Sequence, residues 1–304
     1  MSLILPKYLS KGDLIHIVAP ARFVEREFIE FAIENLTALG FRVALGKNLY
    51  KQQNQFAGSD AEKLEDINAA IRNPECRAIL CARGGYGSVR IIDRIDLAAL
   101  KRDPKWIVGY SDITAILNHI LADVNIAGIH GTMPVNFEKN TKESIDSLIN
   151  ALTGNENTYT APAHKLNRSG IAEGRMMGGN LSMLYSLLGS KTRPNTAGNI
   201  LFLEDLDEYL YHIDRMMMAL KRAGMFENLA GLIVGGMSDM NDNAVPFGKS
   251  AEEIIRDQVS EYHFPVCFNF PSGHIDDNRA WIHGKKIRLT VNNDQPSEVI
   301  PLMD

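Results

Sequence analysis

The chain has 304 residues, 45% of them hydrophobic and 23% charged, which suits a water-soluble protein long enough for two units with cores of their own. A formal net charge of -5 leaves no basic footprint for nucleic acid or an anionic membrane, and no apolar stretch approaches the roughly 18 residues of a membrane span. Cys76, Cys81 and Cys267 are odd in number and lack a CxxC spacing, so neither a disulfide framework nor a zinc site is indicated. With no cleavable leader pattern in Met1 to Lys11, the expected location is a reducing cytoplasm.

In chain order, Leu14 to Ala19 is an apolar strand interrupted by His16 and stopped by Pro20. A helix is predicted from about Glu25 to Leu39, with Gly40 beyond its end, and Arg42 to Leu45 reads as a second strand. Ser59-Asp60-Ala61-Glu62 is a capping box opening a helix that Pro74 ends. Ala78 to Ala82 is a third strand, running into Arg83-Gly84-Gly85-Tyr86-Gly87-Ser88. Trp106-Ile107-Val108 forms a fourth strand, and Gly109-Tyr110-Ser111-Asp112 turns it into a helix carrying Ile113, Ile116, Leu117 and Ile120. Ile126 to Ile129 makes a fifth. Continuous apolar strands alternating with helices predict a doubly wound α/β unit, a parallel sheet with helices on both faces. Ligands of such sheets bind beyond the carboxyl ends of the strands, where the Gly84-Gly85 loop and the Ser111 turn both fall.

Residues 1–150 are read as this first domain and the polar stretch of residues 151–169 as a linker. Residues 170–304 form a second, strand-rich α/β domain. It holds Gly178-Gly179-Asn180 before a helix at Leu181 to Leu188, then a strand from Asn199 to Leu203 ending in Glu204-Asp205-Leu206-Asp207-Glu208. A helix with Ile213, Met216, Met217 and Leu220 on one side runs to Gly224. A short strand from Leu232 to Val234 and a helix from Ala251 to Glu261 follow. Val266 to Phe270 leads to Pro271-Ser272-Gly273-His274, and Trp281 to Val291 reads as two antiparallel strands.

A serine at a strand-to-helix turn either caps its helix or serves as a nucleophile aimed from the sheet edge. A nucleophilic serine needs a base and an acid to orient it. Among the eight histidines, His130 ends a strand beside Gly131 and His274 follows a turn directly after an apolar strand. Glu204 is the acid nearest a strongly apolar strand, whereas a run of carboxylates otherwise reads as a solvated helix start. Gly84-Gly85-Tyr86-Gly87 lacks the Lys of a P-loop, and Gly85-Tyr86-Gly87 lacks the third glycine of a dinucleotide fingerprint. There is no His-Glu-x-x-His or Cys/His cluster for a metal, and Cys81 reads as a buried structural thiol.

Taken together the segments resemble the LD-carboxypeptidase family, serine peptidases that include muramoyltetrapeptide carboxypeptidases and microcin-immunity hydrolases. The matching residues are Gly12-Asp13-Leu14-Ile15, Ala19-Pro20, Ala82 to Ser88, Gly109 to Thr114, His130-Gly131, Gly178 to Leu181, Leu203-Glu204-Asp205, Asp214-Arg215 and Gly273-His274. The resemblance implies a Ser-Glu-His triad on Ser111, Glu204 and His274, in a cleft between the two domains. It also implies an oxyanion hole from the amides of Gly85 (Gly84 being the weaker choice) and Asp112. The implied activity is release of terminal D-Ala from a murein tetrapeptide, with no metal or organic cofactor and in a homodimer. Arg83, Gly84, Tyr86 and Arg175 are the nearby candidates for contacting substrate. Ala21 stands where the family often has Ser, and Gly131-Thr132 where it often has Gly-Pro. The alternatives are a hydrolase of peptidyl- or aminoacyl-nucleotides, which would want an aromatic platform, and a non-catalytic binding module.

Overall fold

The computed structural model describes residues 2–155 and 157–302. The chain divides into two units, one of Met1–Glu156 with Asp276–His283, the other of Asn157–Ile275 with Gly284–Asp304.

In the first unit, β1 (Leu14–Val18), α1 (Arg26–Ala38), β2 (Arg42–Leu45), α2 (Asp60–Arg72) and β3 (Cys76–Cys81) alternate as the apolar pattern requires. α3 (Leu97–Arg102), β4 (Trp106–Val108), α4 (Thr114–Val124), β5 (Gly128–His130) and α5 (Lys142–Thr153) follow. The strands lie parallel in the order β5-β4-β3-β1-β2. The steps from β1 to β2 and from β2 to β3 run in opposite directions, so right-handed crossovers place α1 and α2 on opposite faces. On one face Ile15, Ile17, Leu80 and Val108 bury against Ile29 and Leu36 of α1 and Leu148 of α5. α2 packs on β1 and β3, and α4 on β5. Strand order reverses between β1 and β3, and their trailing segments, Ala19 to Arg22 and Ala82 to Gly85, border the crevice such a reversal opens.

The second unit contains β6 (Tyr159–Ala161), β7 (Gly170–Asn180), α6 (Leu181–Leu187), β8 (Ile200–Leu206), α7 (Leu210–Arg222), β9 (Gly231–Ser238), α8 (Ala251–Gln258) and β10 (Val266–Cys267). After β11 (Trp281–His283) come β12 (Lys286–Val291) and β13 (Ser297–Pro301). β7, β8, β9 and β10 are parallel neighbours in chain order, while β12, β13 and β6 extend the sheet antiparallel beyond β7. Every parallel crossover steps the same way, which puts α6, α7 and α8 on one face. There Leu184, Met216, Leu220 and Ile255 cover Leu203 and Val234.

The boundaries differ from the sequence expectation. α5 continues to Thr153 and Tyr159–Ala161 is a strand of the second sheet, so residues 151–169 are not one linker. β11 does not pair with β12 but lies antiparallel to β5, returning to the first sheet. Alternation in Trp281 to Val291 indicates strands but carries no information about which sheet receives them.

Candidate active site

Ser111 has φ of 60°, a left-handed conformation that costs a non-glycine residue roughly 1–3 kcal/mol and points to a functional constraint. β4 ends three residues before it, and a 3-10 turn, Ser111–Ile113, leads into α4. The hydroxyl does not cap that helix: Ile113 is the N-cap of α4, with no side-chain cap hydrogen bond. Gly109 permits the sharp bend, since a Cβ there would lie 2.9 Å from both Cγ atoms of Ile113.

The glycine loop meets this elbow directly. A Cβ on Gly84 would stand 2.9 Å from Ser111 Cβ, 3.0 Å from its Oγ and 3.4 Å from the Asp112 amide nitrogen. The carboxylate of Asp112 does not face solvent but accepts from the Ser88 amide at 2.9 Å, and the Ser88 hydroxyl donates to the Asp112 carbonyl at 2.7 Å. Burial raises the Asp112 carboxyl above its ordinary range, partly offset by those Ser88 bonds. Lys63 of α2 lies beneath the loop. Its buried Nζ is 3.0 Å from Asp60 Oδ1, 4.9 Å from the Phe56 ring centroid and 3.1 Å from where a Gly87 Cβ would be. The ion-pair distance to Asp60 is good although no aligned hydrogen bond forms, so Lys63 contributes charge and packing.

In the second unit Glu204 and His274 form a pair at the carboxyl edge of the parallel strands. Glu204 Oε2 is 2.6 Å from His274 Nδ1 and also accepts from the His274 amide at 3.2 Å. The register of β8 against β9 shifts between Leu203 and Asp205, and such a bulge re-aims side chains. As a result Glu204 and Asp205 are both buried, and β8 continues past Leu203, where the sequence expectation ended the strand, through Glu204 to Leu206. Gly273, at φ +109°, allows the approach, because a Cβ there would be 2.9 Å from Glu204 Oε2. Ser238 of β9 fixes the other side by donating its hydroxyl to the His274 carbonyl at 2.7 Å. Burial alone would lower the imidazole pKa, but the charge and hydrogen bond of Glu204, aided by Asp205, outweigh it and the net shift is upward. Asp205 is pushed up to about 7 by burial and the neighbouring Glu204 charge. It accepts from Asn180 Nδ2 at 2.8 Å and from the Ser182 amide at 2.9 Å, which ties the start of α6 to the same edge.

The remaining sequence candidates have partners of their own. Arg83 turns back to the Phe23 carbonyl, at 3.4 Å, and to Glu25, at 3.7 Å. Tyr86 is exposed and tilts against Phe56 with centroids 6.0 Å apart. Arg175 sits on β7 five residues before Asn180, about 16 Å by strand rise from the Glu204 end, so this chain gives it no place beside that acid. Glu208, the last carboxylate of the acidic run, pairs with His212 at 2.6 Å. His130 is buried between Tyr110 and stacked Trp281, and burial raises the Cys81 thiol, which keeps it from being a thiolate. Among the described residues no group of three His, Cys, Asp or Glu could hold a metal, and no helix is long and apolar enough to cross a membrane. The sequence reading missed the buried Asp112 carboxylate and Lys63, and neither carried a local signal.

A serine on a strained elbow and an imidazole held by a buried carboxylate are the working parts of α/β serine hydrolases. Comparison with known proteins narrows that class. Residues 15–131 match the LD-carboxypeptidase N-terminal domain and residues 173–289 the LD-carboxypeptidase C-terminal domain. The chain belongs to the LD-carboxypeptidase family and is by that membership a serine-type carboxypeptidase. It is 36% identical over 296 residues to a probable murein peptide carboxypeptidase of Bacillus subtilis (strain 168), covering 93% of this chain and 91% of that one. The structure of muramoyltetrapeptide carboxypeptidase from Oxalobacter formigenes matches with a TM-score of 0.86 at 26% identity, covering 94% of this chain and 98% of the other. An MccF-like protein from Bacillus anthracis str. Ames matches at 0.85 and 26%, covering 98% and 99%.

Proposed function

We propose that the enzyme hydrolyses the L,D peptide bond of a murein tetrapeptide and releases terminal D-Ala, in cell-wall recycling. The observation that carries the mechanism is the 2.6 Å contact between buried Glu204 and His274 Nδ1. With Nδ1 occupied by the carboxylate, proton exchange falls to Nε2. Ser111 Oγ attacks the penultimate carbonyl carbon as its proton passes to His274 Nε2. The resulting oxyanion is stabilised by the amides of Gly85 and Asp112, and each such donor is typically worth roughly 2.7–4 kcal/mol. The tetrahedral intermediate collapses to a seryl ester as His274 returns the proton to the departing D-Ala amine. Water, deprotonated by His274, then attacks the ester and frees Ser111. No step uses a metal or organic cofactor. The setting proposed with this reading is the cytoplasm, and the assembly a homodimer.

The likeness to the MccF-like protein, equal in identity to that of the muramoyltetrapeptide enzyme, favours a second reading: hydrolysis of a peptidyl- or aminoacyl-nucleotide by the same residues. Comparing kcat/KM of the purified protein on a murein tetrapeptide and on an acyl-adenosine sulfamate separates the two. The tetrapeptide is expected to be the better substrate, and cleavage of the nucleotide alone would reject the first reading.

A further inference from the structure

A carboxypeptidase must recognise a free α-carboxylate one residue beyond the scissile carbonyl. We propose that Arg22 is the residue that binds this carboxylate, an inference that rests on the functional reading above. Arg22 lies just past the end of β1, on the border of the crevice between β1 and β3. Its amide donates to the Gly84 carbonyl at 3.4 Å, and its stem crosses the glycine loop. A Cβ on Gly85 would be 2.1 Å from Arg22 Cδ and 2.6 Å from Cγ, so glycine at that position is what leaves room for the arginine.

The geometry sets the reach. A β-carbon position is about 2.5 Å from its own amide nitrogen, which brings Arg22 Cδ within about 5 Å of the Gly85 amide assigned to the oxyanion. One residue of chain spans at most about 3.8 Å, so the terminal carboxylate of a peptide held there falls within range of the guanidinium. Arg22 is half-buried, and its Nε is buried without a hydrogen-bond partner. Among the described residues it forms no ion pair, in contrast to Arg83 with Glu25 and Lys63 with Asp60. A buried guanidinium N–H without an acceptor is unfavourable until an acceptor arrives, and a carboxylate fits the planar fork in bidentate fashion.

The test compares kcat/KM for a murein tetrapeptide and its C-terminal carboxamide, using wild type, R22M and R22Q, with R22K as the conservative rescue. Both neutral variants keep the stem over Gly85, and R22Q serves if R22M does not fold. Wild type should prefer the acid, and a neutral variant should lose roughly 10- to 100-fold on the acid, mainly through KM. Its rate on the amide should stay within about 3-fold of wild type, and R22K should recover part of the preference. A neutral variant with native circular dichroism that keeps the wild-type acid-to-amide ratio overturns the role of Arg22 while leaving the enzymatic reading intact. Wild type that cleaves neither peptide contradicts the functional reading, and this proposal with it.

Discussion

At Ser111 the left-handed backbone, the bare α-carbon of Gly84 and the buried Asp112 carboxylate act on one another within a few ångströms. The room left by Gly84 is therefore specific. Gly84→Ala would press a methyl group against Ser111 Cβ and Oγ, and a displacement of about 1 Å at reacting atoms can cost about 100-fold. We expect kcat to fall by at least that much with little change in melting temperature. Unchanged kcat would show that the loop does not hold the serine. At His274 the sign of the pH dependence follows from its carboxylate. Its pKa is raised above the ordinary 6.5, and the base works when neutral, so kcat/KM should rise with pH through an inflection above that value. In Glu204→Gln the anion is gone and the amide can donate to Nδ1, favouring the tautomer with its proton on Nε2. The inflection should move to lower pH and the plateau fall by about 10,000-fold, as for other triads with the wrong tautomer. A pH profile unmoved by E204Q would contradict the pairing.

Elements differ in how plainly the sequence announces them, and the capping box before α2 is the clearest. Ser59 Oγ accepts from the Glu62 amide at 3.3 Å, and Glu62 Oε2 accepts from the Ser59 amide at 2.8 Å. Ser59→Ala should cost about 1 kcal/mol in urea unfolding, and a change near zero would mean tertiary packing alone holds the helix. The strands β1, β3 and β4 were legible because burial on both faces leaves nearly continuous apolar runs, broken only by His16 in β1 and Arg77 in β3. β7 was not read as a strand, and only Gly178-Gly179-Asn180 at its end was singled out. Its eleven residues include Glu173 and Arg175, and its charged residues point outward at one end while Met176 and Met177 bury at the other. β13 alternates in a charged tail, and α5 straddles a stretch that composition assigned to a linker. Ser111, Glu204 and His274 stood at element ends with local signals. Lys63 carries no local signal of burial, and its packing against Phe56 and Gly87 is visible only in three dimensions.

At the scale of the molecule, the chain's path matters more than its length. Asp276–His283 leaves the second unit's sequence to complete the first unit's sheet, where Trp281 pairs with His130 and stacks on it at 5.0 Å. The Ala280 amide donates to Ser147 Oγ at 2.7 Å, and the Thr141 amide to the Asp276 carbonyl at 2.9 Å. A fragment of residues 1–156 would lack these contacts and expose the edge of β5, a template for unwanted pairing. We expect it to bind the hydrophobic dye ANS and to lose near-ultraviolet circular dichroism, whereas a sharp native-like melt would show the segment to be dispensable. Nothing local in the sequence marks this exchange, because strand periodicity is the same whichever sheet a strand joins.

The most direct test of the account is D-Ala release from a murein tetrapeptide by the wild-type enzyme and by Ser111→Ala. The account predicts free D-Ala with wild type and a loss of about 10,000- to 1,000,000-fold in kcat with the variant, whose fold and melting temperature stay native. Release at the wild-type rate by Ser111→Ala would remove Ser111 as the nucleophile, and no D-Ala from the wild-type enzyme would remove the tetrapeptide as its substrate.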